Sequence, residues 1–480
     1  MSELFLFLPE TFVLLACFVF FMLTLAPCAK VSGRLFPISF SLALLILAGS
    51  IAGLSANGLL FGGCYQIDSL SQIFKVAIAL GFLFVIAFSD KTIAINQCVR
   101  PEYYFFLSTA ALGLMMLTSS VELLTLFVSL ELASYSFYIL VPLRRQGLLS
   151  SEGGIKYLLF GGAASGLMLY GMSILFGFTQ NSYFAQMASA LPSLIPGSTI
   201  PPALTLGFFL MLTAFFFKLS AFPFHFWAPD VYEAGATQVT AFIATASKAA
   251  AIAVFLRLFQ FFGNQLSQFT PLFVWIALIS MTLGNLVALT QNDMKRMLAY
   301  SSIAQAGYML VGLLAQTPAG YSAVLFYSFI YIIMNAAAFL VTEQVGRDAN
   351  QDNPQIITFA GLAERSPLLA LTLLLSLLSL AGIPPLVGFT GKWVLFTAAM
   401  EKGYLWLVLA GVINSVISLY YYLMVVKQCY WAKPGSAQPL ILPLHTRLLS
   451  YAFILAIVAL GIVPTLLITQ AQNAIATVMP

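Results

Sequence analysis

Apolar residues run through this chain in long blocks, not in the alternations of a half-buried helix or strand. A bilayer-spanning helix needs about 20 mainly apolar residues. Fourteen stretches approach or exceed that length, at about 5–26, 35–57, 70–89, 103–119, 121–143, 154–177, 203–229, 236–260, 271–290, 296–315, 319–345, 367–400, 403–427 and 450–470. The pattern predicts an all-α polytopic membrane protein with about 14 transmembrane helices. Two stretches carry prolines within the apolar run: Pro223 in the seventh, and Pro384 and Pro385 in the twelfth. Proline removes a backbone donor and clashes with the preceding turn, so helices 7 and 12 are expected to be broken inside the membrane.

Segments four to eight and nine to thirteen are then two five-helix units, each with its fourth helix broken. Five is odd, so two such units in series must run in opposite senses. The expected organisation is an N-terminal three-helix segment over 1–102, a first five-helix repeat over 103–260, a second, inverted repeat over 261–428, and a C-terminal helix within 429–480. Lys218 lies five residues before Pro223 and Lys392 seven after Pro385, so inversion carries the two lysines to different depths.

Composition narrows the chemistry. Apolar residues make up 61% and charged residues 8% of the chain, against about 25% charged in a soluble domain, so most of the surface must face lipid. A net charge of +4 without any Lys/Arg-rich stretch argues against a nucleic-acid partner. Cys17, Cys28, Cys64, Cys98 and Cys429 show no CxxC pair, and His225 and His445 are the only histidines. Neither a dinucleotide nor a P-loop fingerprint occurs. The chain is therefore expected to bind no cofactor or metal and to hold no catalytic redox or hydrolytic residues. Glu3 and Glu10, not basic residues, open the first apolar run, which argues against a cleavable leader.

Thirteen basic residues of the connections, Lys30, Arg34, Lys91, Arg100, Arg144 and Arg145 among them, fall on one side, and only Arg257 and Lys402 on the other. This bias puts both termini on the non-cytoplasmic side. It places Cys64 outside and Cys28 and Cys98 inside, so no disulfide among loop cysteines is expected.

Five lysines fall within the spans. Lys75 and Lys156 sit near segment ends, where they can snorkel to the interface. Lys218, Lys248 and Lys392 cannot easily do so, and Glu131 is central in the fifth span. Each such charge costs about 2.5–3.5 kcal/mol at a helix centre on insertion scales, so it asks for a reason. Helix-to-helix pairing alone would not explain three ammonium groups against one carboxylate. Polar side chains recur at helical spacing nearby: Glu131, Ser134, Tyr135 and Tyr138 on one face, Ser301, Gln305 and Tyr308 on another, and Tyr327, Tyr331 and Asn335 on a third. Interhelical hydrogen bonding accounts for any one stripe. Three of them beside a row of lysines point to a hydrated path, with Lys156 and His225 as further supporting members.

Two long strings carry a family resemblance. One is Asp293-Met294-Lys295-Arg296-Met297-Leu298-Ala299-Tyr300-Ser301-Ser302-Ile303, followed by Gly307-Tyr308; the other runs from Lys218-Leu219-Ser220-Ala221-Phe222-Pro223 to Asp230-Val231-Tyr232-Glu233. Both resemble the signatures of the antiporter-like membrane subunits of respiratory complex I, and the likeness runs over most of the chain. Leu8-Pro9-Glu10, the run Glu152 to Leu159, and lysine at position 392 narrow it to one of those subunits. The chain departs from the family where Ala236 and Gln238 replace two prolines, which leaves open the shape of the turn into the eighth helix.

The resemblance implies a proton-translocating subunit of an NADH–quinone oxidoreductase, in the bacterial inner membrane. Glu131 matches the family's glutamate of the fifth helix, Lys218 its partner in the seventh, Lys248 the central lysine and Lys392 the residue at the far end. Moving Glu131 nearer to or farther from Lys218 would switch whether Lys218 holds its proton. Flavin and iron–sulfur clusters are expected in partner subunits, and antiporter-like siblings and small membrane subunits are the expected partners. The alternative is a subunit of an Mrp-type cation/proton antiporter, which shares these motifs.

Overall fold

In lipid, every backbone N–H and C=O must be satisfied within its own segment, and the apolar blocks accordingly become helices. The computed structural model describes residues 3–27, 33–90, 94–144, 147–194, 201–433 and 438–478. Three helices come first: α1 (Leu8–Thr24), α2 (Leu35–Ala52) and α3 (Ser69–Ala87). Between α2 and α3 lies an antiparallel hairpin of β1 (Gly58–Leu60) and β2 (Tyr65–Ile67). Next follow α4 (Arg100–Ser119), α5 (Leu123–Leu140), α6 (Gly147–Thr179), the short α7 (Phe184–Leu194), α8 (Pro202–Leu219) and α9 (Trp227–Ala234). Helix α10 (Thr237–Phe242) passes through a π-helical turn (Ile243–Ser247) into α11 (Lys248–Leu266). The rest comprises α12 (Thr270–Ala288), α13 (Met294–Leu314), α14 (Pro318–Ala349), α15 (Pro367–Ala381), α16 (Val387–Glu401), α17 (Leu405–Trp431), α18 (Leu444–Ile462) and α19 (Thr465–Val478).

Among the described residues, eleven helices are long and apolar enough to cross a membrane, and Leu8–Thr24 and Pro367–Ala381 are shorter apolar helices. This is a multi-pass membrane protein. Helices outside the expectation include α7 and the single turn Leu362–Arg365, both in stretches read as connections, and α19. The last apolar stretch does not continue to 470 as expected but stops at Ile462, just before Pro464, which has no N–H to donate.

Local signals set the helix starts. Asp68 and Ser71 form a reciprocal capping box on α3, and the Asp293 carboxylate accepts from the backbone N–H of Arg296 at the start of α13. At two other ends the chain leaves the helix in the same way. Ser220 follows α8 in the left-handed region (φ 59°), and Gly382 follows α15 (φ 91°). Ala221 N–H donates to Phe216 O and Ser220 N–H to Phe217 O; Ile383 N–H donates to Leu378 O and Gly382 N–H to Ser379 O. Both are Schellman endings. Beyond them the backbone is non-helical until Trp227 and Val387, respectively.

Close backbone contacts recur in register. A Cβ on Gly113 would lie 2.5 Å from Ala133 N and 2.9 Å from Ser129 O, and one on Gly284 2.7 Å from both Ala304 N and Tyr300 O. In each case the residues approached lie 16 and 20 positions later, so α4 meets α5 as α12 meets α13.

Three expectations are corrected here. Arg257 is not in a connection: it lies within α11, 1% exposed, with its guanidinium bidentate on Asp68. That pairing is what allows it inside. Lys75 does not snorkel: it is fully buried, 2.7 Å from the equally buried Glu10. Cys98 is disulfide-bonded although no disulfide was expected. Cys17, Cys64 and Cys429 are free, and the Cys98 partner lies outside the described residues. Sorting cysteines by side of the membrane says nothing about whether two on one side meet. Lys30, Lys91, Arg145 and Cys28 also lie outside the described residues.

Removing one partner of a buried ion pair strands the other, at about 3–5 kcal/mol. Arg257→Leu should therefore lower the melting temperature of the assembled protein sharply. Adding Asp68→Leu should recover most of the loss, measured by thermal unfolding in detergent.

Candidate functional site

The three central lysines differ in how completely they are satisfied. Lys248 opens α11 directly after the π-helical turn, a feature that often marks functional positions. Its ammonium donates to Leu219 O at 2.8 Å, Ser302 O at 2.8 Å and Ser302 Oγ at 3.0 Å. That uses all three N–H donors on neutral oxygens. Lys392, in α16, donates to Ala381 O at 3.0 Å and Ser415 Oγ at 3.1 Å, and sits 4.3 Å from the centre of the Tyr308 ring. Leu219 and Ala381 are the last residues of α8 and α15. Each ammonium therefore rests on the C-terminal end of a helix, where free carbonyls and the helix dipole favour a cation.

Lys218, in the last turn of α8, is 2% exposed and has no hydrogen-bonding protein group on its Nζ among the described residues. The Phe137 ring lies 5.4 Å from it. Glu131 is the carboxylate whose charge acts on it, though the two form no ion pair within 4.0 Å. Glu131 accepts instead from Ser165 Oγ of α6.

One face of α13 connects Lys248 to Lys392. Ser302 holds Lys248 and also contacts the Tyr232 hydroxyl at 3.3 Å. Gln305 donates to Leu380 O at 3.0 Å, near the end of α15, and accepts from Tyr327 OH. Tyr308 lies under Lys392, and its hydroxyl accepts from Asn285 Nδ2 at 3.2 Å. Ser301, on the same face as Gln305 and Tyr308, is bonded to Tyr422 OH. The Tyr331 hydroxyl is buried without a hydrogen-bonding protein group among the described residues, within electrostatic reach of Tyr232, Tyr422 and Tyr327.

The other supporting residues lie elsewhere. Tyr135 is 57% exposed on α5, away from the lysine row. Lys156 belongs to a partly exposed ion cluster, 2.7 Å from Glu152 and 2.6 Å from Asp230. His225 is buried in the interruption after α8, between the rings of Phe222 and Phe226.

Residues 120–418 match the transmembrane family described as NADH:quinone oxidoreductase/Mrp antiporter. This chain belongs to that family. A relative named NADH-quinone oxidoreductase subunit N 2, from Syntrophobacter fumaroxidans, is 45% identical over 89% of this chain and 90% of its own. Another, named subunit N, from Moorella thermoacetica, is 39% identical over 90% of each. A chain of respiratory complex I from Thermus thermophilus with bound aureothin superposes with a TM-score of 0.81 at 30% identity, covering 96% of this chain and 98% of its own. A chain of the Mrp complex from a Dietzia species reaches 0.87 at 21% identity, covering 100% and 98%, which shows a shared fold.

The family strings turn out to contain clamps as well as lysines. Asp230 accepts from both Lys156 and Arg296, and Glu233 from Arg296 at 2.8 Å, tying α9 to α6 and α13. Where the family's prolines are missing, Ala236 (φ −60°, ψ 144°) still takes the polyproline conformation, as does Gly235 before it (φ −70°, ψ 156°), and Gln238 lies in the first turn of α10, where a proline is also tolerated. Lys295 Nζ holds Gly235 O at 2.8 Å, and Arg144 holds Glu233 O and Ala234 O. The sequence reading singled out Ser301 and passed over Ser302, its neighbour, which touches Lys248. It also passed over Ser415, since an isolated serine carries no pattern, and the run Gly162-Ala163-Ala164-Ser165-Gly166 reads as a close-packing site although Ser165 donates to Glu131.

Replacing Lys248 leaves Leu219 O buried without its donor, at about 1–3 kcal/mol. Replacing Lys218 removes an unsatisfied donor. Lys248→Met should therefore lower the melting temperature of the purified complex, whereas Lys218→Met should leave it unchanged or raise it.

Proposed function

We propose that this chain is a proton-translocating membrane-arm subunit of a complex I-type NADH–quinone oxidoreductase, seated in the bacterial inner membrane with both termini on the non-cytoplasmic side. Protons pass between Glu131, Lys218, Lys248 and Lys392 with the help of water and of Ser301, Gln305, Tyr308 and Tyr331. Lys156 and His225 line its approaches, and Tyr135, 57% exposed on α5, takes no part. The observation that carries this reading is the α13 face: Ser302 holds Lys248 and Tyr308 underlies Lys392, six residues apart, or about 9 Å at the α-helical rise. A row of exchangeable groups spans that interval.

The chain itself carries no cofactor in this reading. Electron transfer through flavin and iron–sulfur clusters of partner subunits supplies the energy, and antiporter-like siblings and small membrane subunits are its neighbours. The relatives named subunit N favour this over an Mrp-type cation/proton antiporter, whose likeness is one of fold.

The same reading takes α8 with α9, and α15 with α16, as the two broken spans of fourteen. They are the fourth members of inverted repeats over 103–260 and 261–428, flanked by a three-helix segment over 1–102 and a final span within 429–480. The matching Schellman endings and the matching Gly113 and Gly284 contacts support it. By that register Ser302 stands where Glu131 stands in the first repeat, both 18 residues beyond the glycine.

Pumping per assembled complex in sealed vesicles tests the relay. Lys218→Ala should abolish this subunit's share, and Lys218→Arg should impair it as strongly, because a guanidinium does not deprotonate in a protein. Glu131→Gln should weaken it by removing the charge that holds the Lys218 proton. Parent-like pumping by the arginine variant, with the alanine variant failing only to assemble, would leave Lys218 a structural residue.

A further inference from the structure

Helices α1 to α3 hold a second buried ionisable group that the lysine row does not use. Glu10 and Lys75 are both fully buried, 2.7 Å apart. Tyr65, at the start of β2, donates its hydroxyl to Glu10 Oε1 at 2.6 Å, and its ring lies 5.0 Å from the Lys75 ammonium. Glu10 Oε2 is buried and accepts no hydrogen bond from the protein among the described residues. Both amide atoms of Gln72, one turn before Lys75 and wholly buried, are unpartnered in the same sense, as is Ser119 Oγ beside the Tyr65–Ser120 bridge. Buried polar atoms left over in this number mark a place for exchangeable water. An ion pair serving only to hold helices would need none of them.

The cluster lies between two ends. Inward, α3 runs against the π-helical turn before Lys248: Gly81, about 9 Å along the helix from Lys75 at 1.5 Å per residue, would place a Cβ 3.4 Å from Ala246 and 3.7 Å from Thr245 Oγ1. The next residue but one, Ser247, has a buried, unpartnered hydroxyl and precedes Lys248. Outward, Asp68 caps α3 and is engaged by Arg257 and by the half-buried Gln66.

We infer that Glu10, Lys75 and Tyr65 form a proton-exchange site through which a proton released at Lys248 leaves toward the side opposite the basic connections, an inference that rests on the proton-translocating reading above. Glu10 Oε2 takes the proton from water, giving a carboxylic acid beside the ammonium, and returns it to water on the outer side, which restores the ion pair. Tyr65 keeps Oε1 occupied and so leaves Oε2 as the exchanging atom. Asp68 and Arg257 neutralise each other and do not compete for it.

The test compares Glu10→Gln, the double variant Glu10→Gln with Lys75→Met, and Lys218→Ala as reference, in sealed vesicles of the whole complex, reading protons moved per quinone reduced. Glu10→Gln and the double variant should lose as much of that ratio as Lys218→Ala does. A double variant that pumps at the parent ratio, while Lys218→Ala loses, overturns the exchange site and leaves the proposed function standing. Parent-like ratios in all three overturn both. For variants that fail to assemble, infrared difference spectra of the parent complex during turnover decide: a protonated-carboxyl band assigned by labelling to Glu10 supports the site, and its absence overturns it.

Discussion

A lysine ammonium inside a bilayer needs oxygen around it, and a continuous helix has none to spare, since its carbonyls are spent on its own hydrogen bonds. The C-terminal ends of α8 and α15 supply it. At Leu219 and at Ala381 a Schellman ending satisfies the carbonyls just upstream, and the last residue's carbonyl is taken by the ammonium of Lys248 or of Lys392. Much of the surrounding architecture serves to keep those ends in place. Trp227 Nε1 binds Phe217 O, Ser280 Oγ accepts from the N–H of Phe222, and Arg144, Lys295 and Arg296 hold α9 and the turn that follows it.

The buried charges fall into two kinds by how fully they are met. Arg257, bidentate on Asp68 through its two terminal nitrogens, and Arg144, held by Asp352 and two carbonyls, are paired with oxygens in direct contact and behave as fixed parts of the scaffold. Lys248 is fully hydrogen-bonded but has no counter-anion in contact, Lys392 is partly so, and Lys218 has only an aromatic face and a carboxylate beyond contact distance. A group held by neutral dipoles can lose its proton without stranding an anion. A group in a tight ion pair cannot. The Glu10–Lys75 pair is also in direct contact, but it differs from Asp68–Arg257 in leaving one carboxylate oxygen and a neighbouring amide unengaged among the described residues.

Position along the chain was enough to foresee that helix stops near Pro223 and Pro384, because proline acts on the backbone wherever it falls, and enough to find the lysines, because a charge deep in an apolar run has no cheap explanation. Tyr135 shows the limit of periodicity. It shares a helical face with Glu131 in projection, but four residues advance about 400° at 100° each, and the remaining 40° turns it out of the protein at 57% exposure. Lys75 and Arg257 show the limit of depth arguments: each looked able to reach an aqueous edge until Glu10 and Asp68, some 65 and 189 residues away in sequence, arrived beside them.

What the sequence alone determined is therefore whatever depends on local chemistry: the membrane class, the apolar helices, the stops beside their prolines and the identity of the ionisable residues. The tertiary structure decided who meets whom. That Lys248 rests on Leu219 and Ser302, that Lys392 rests on Ala381 above Tyr308, and that Lys218 has no hydrogen bond among the described residues are products of helix packing. Acceptors supplied by main-chain carbonyls carry no side-chain signature, so only folding reveals which of them face a charge.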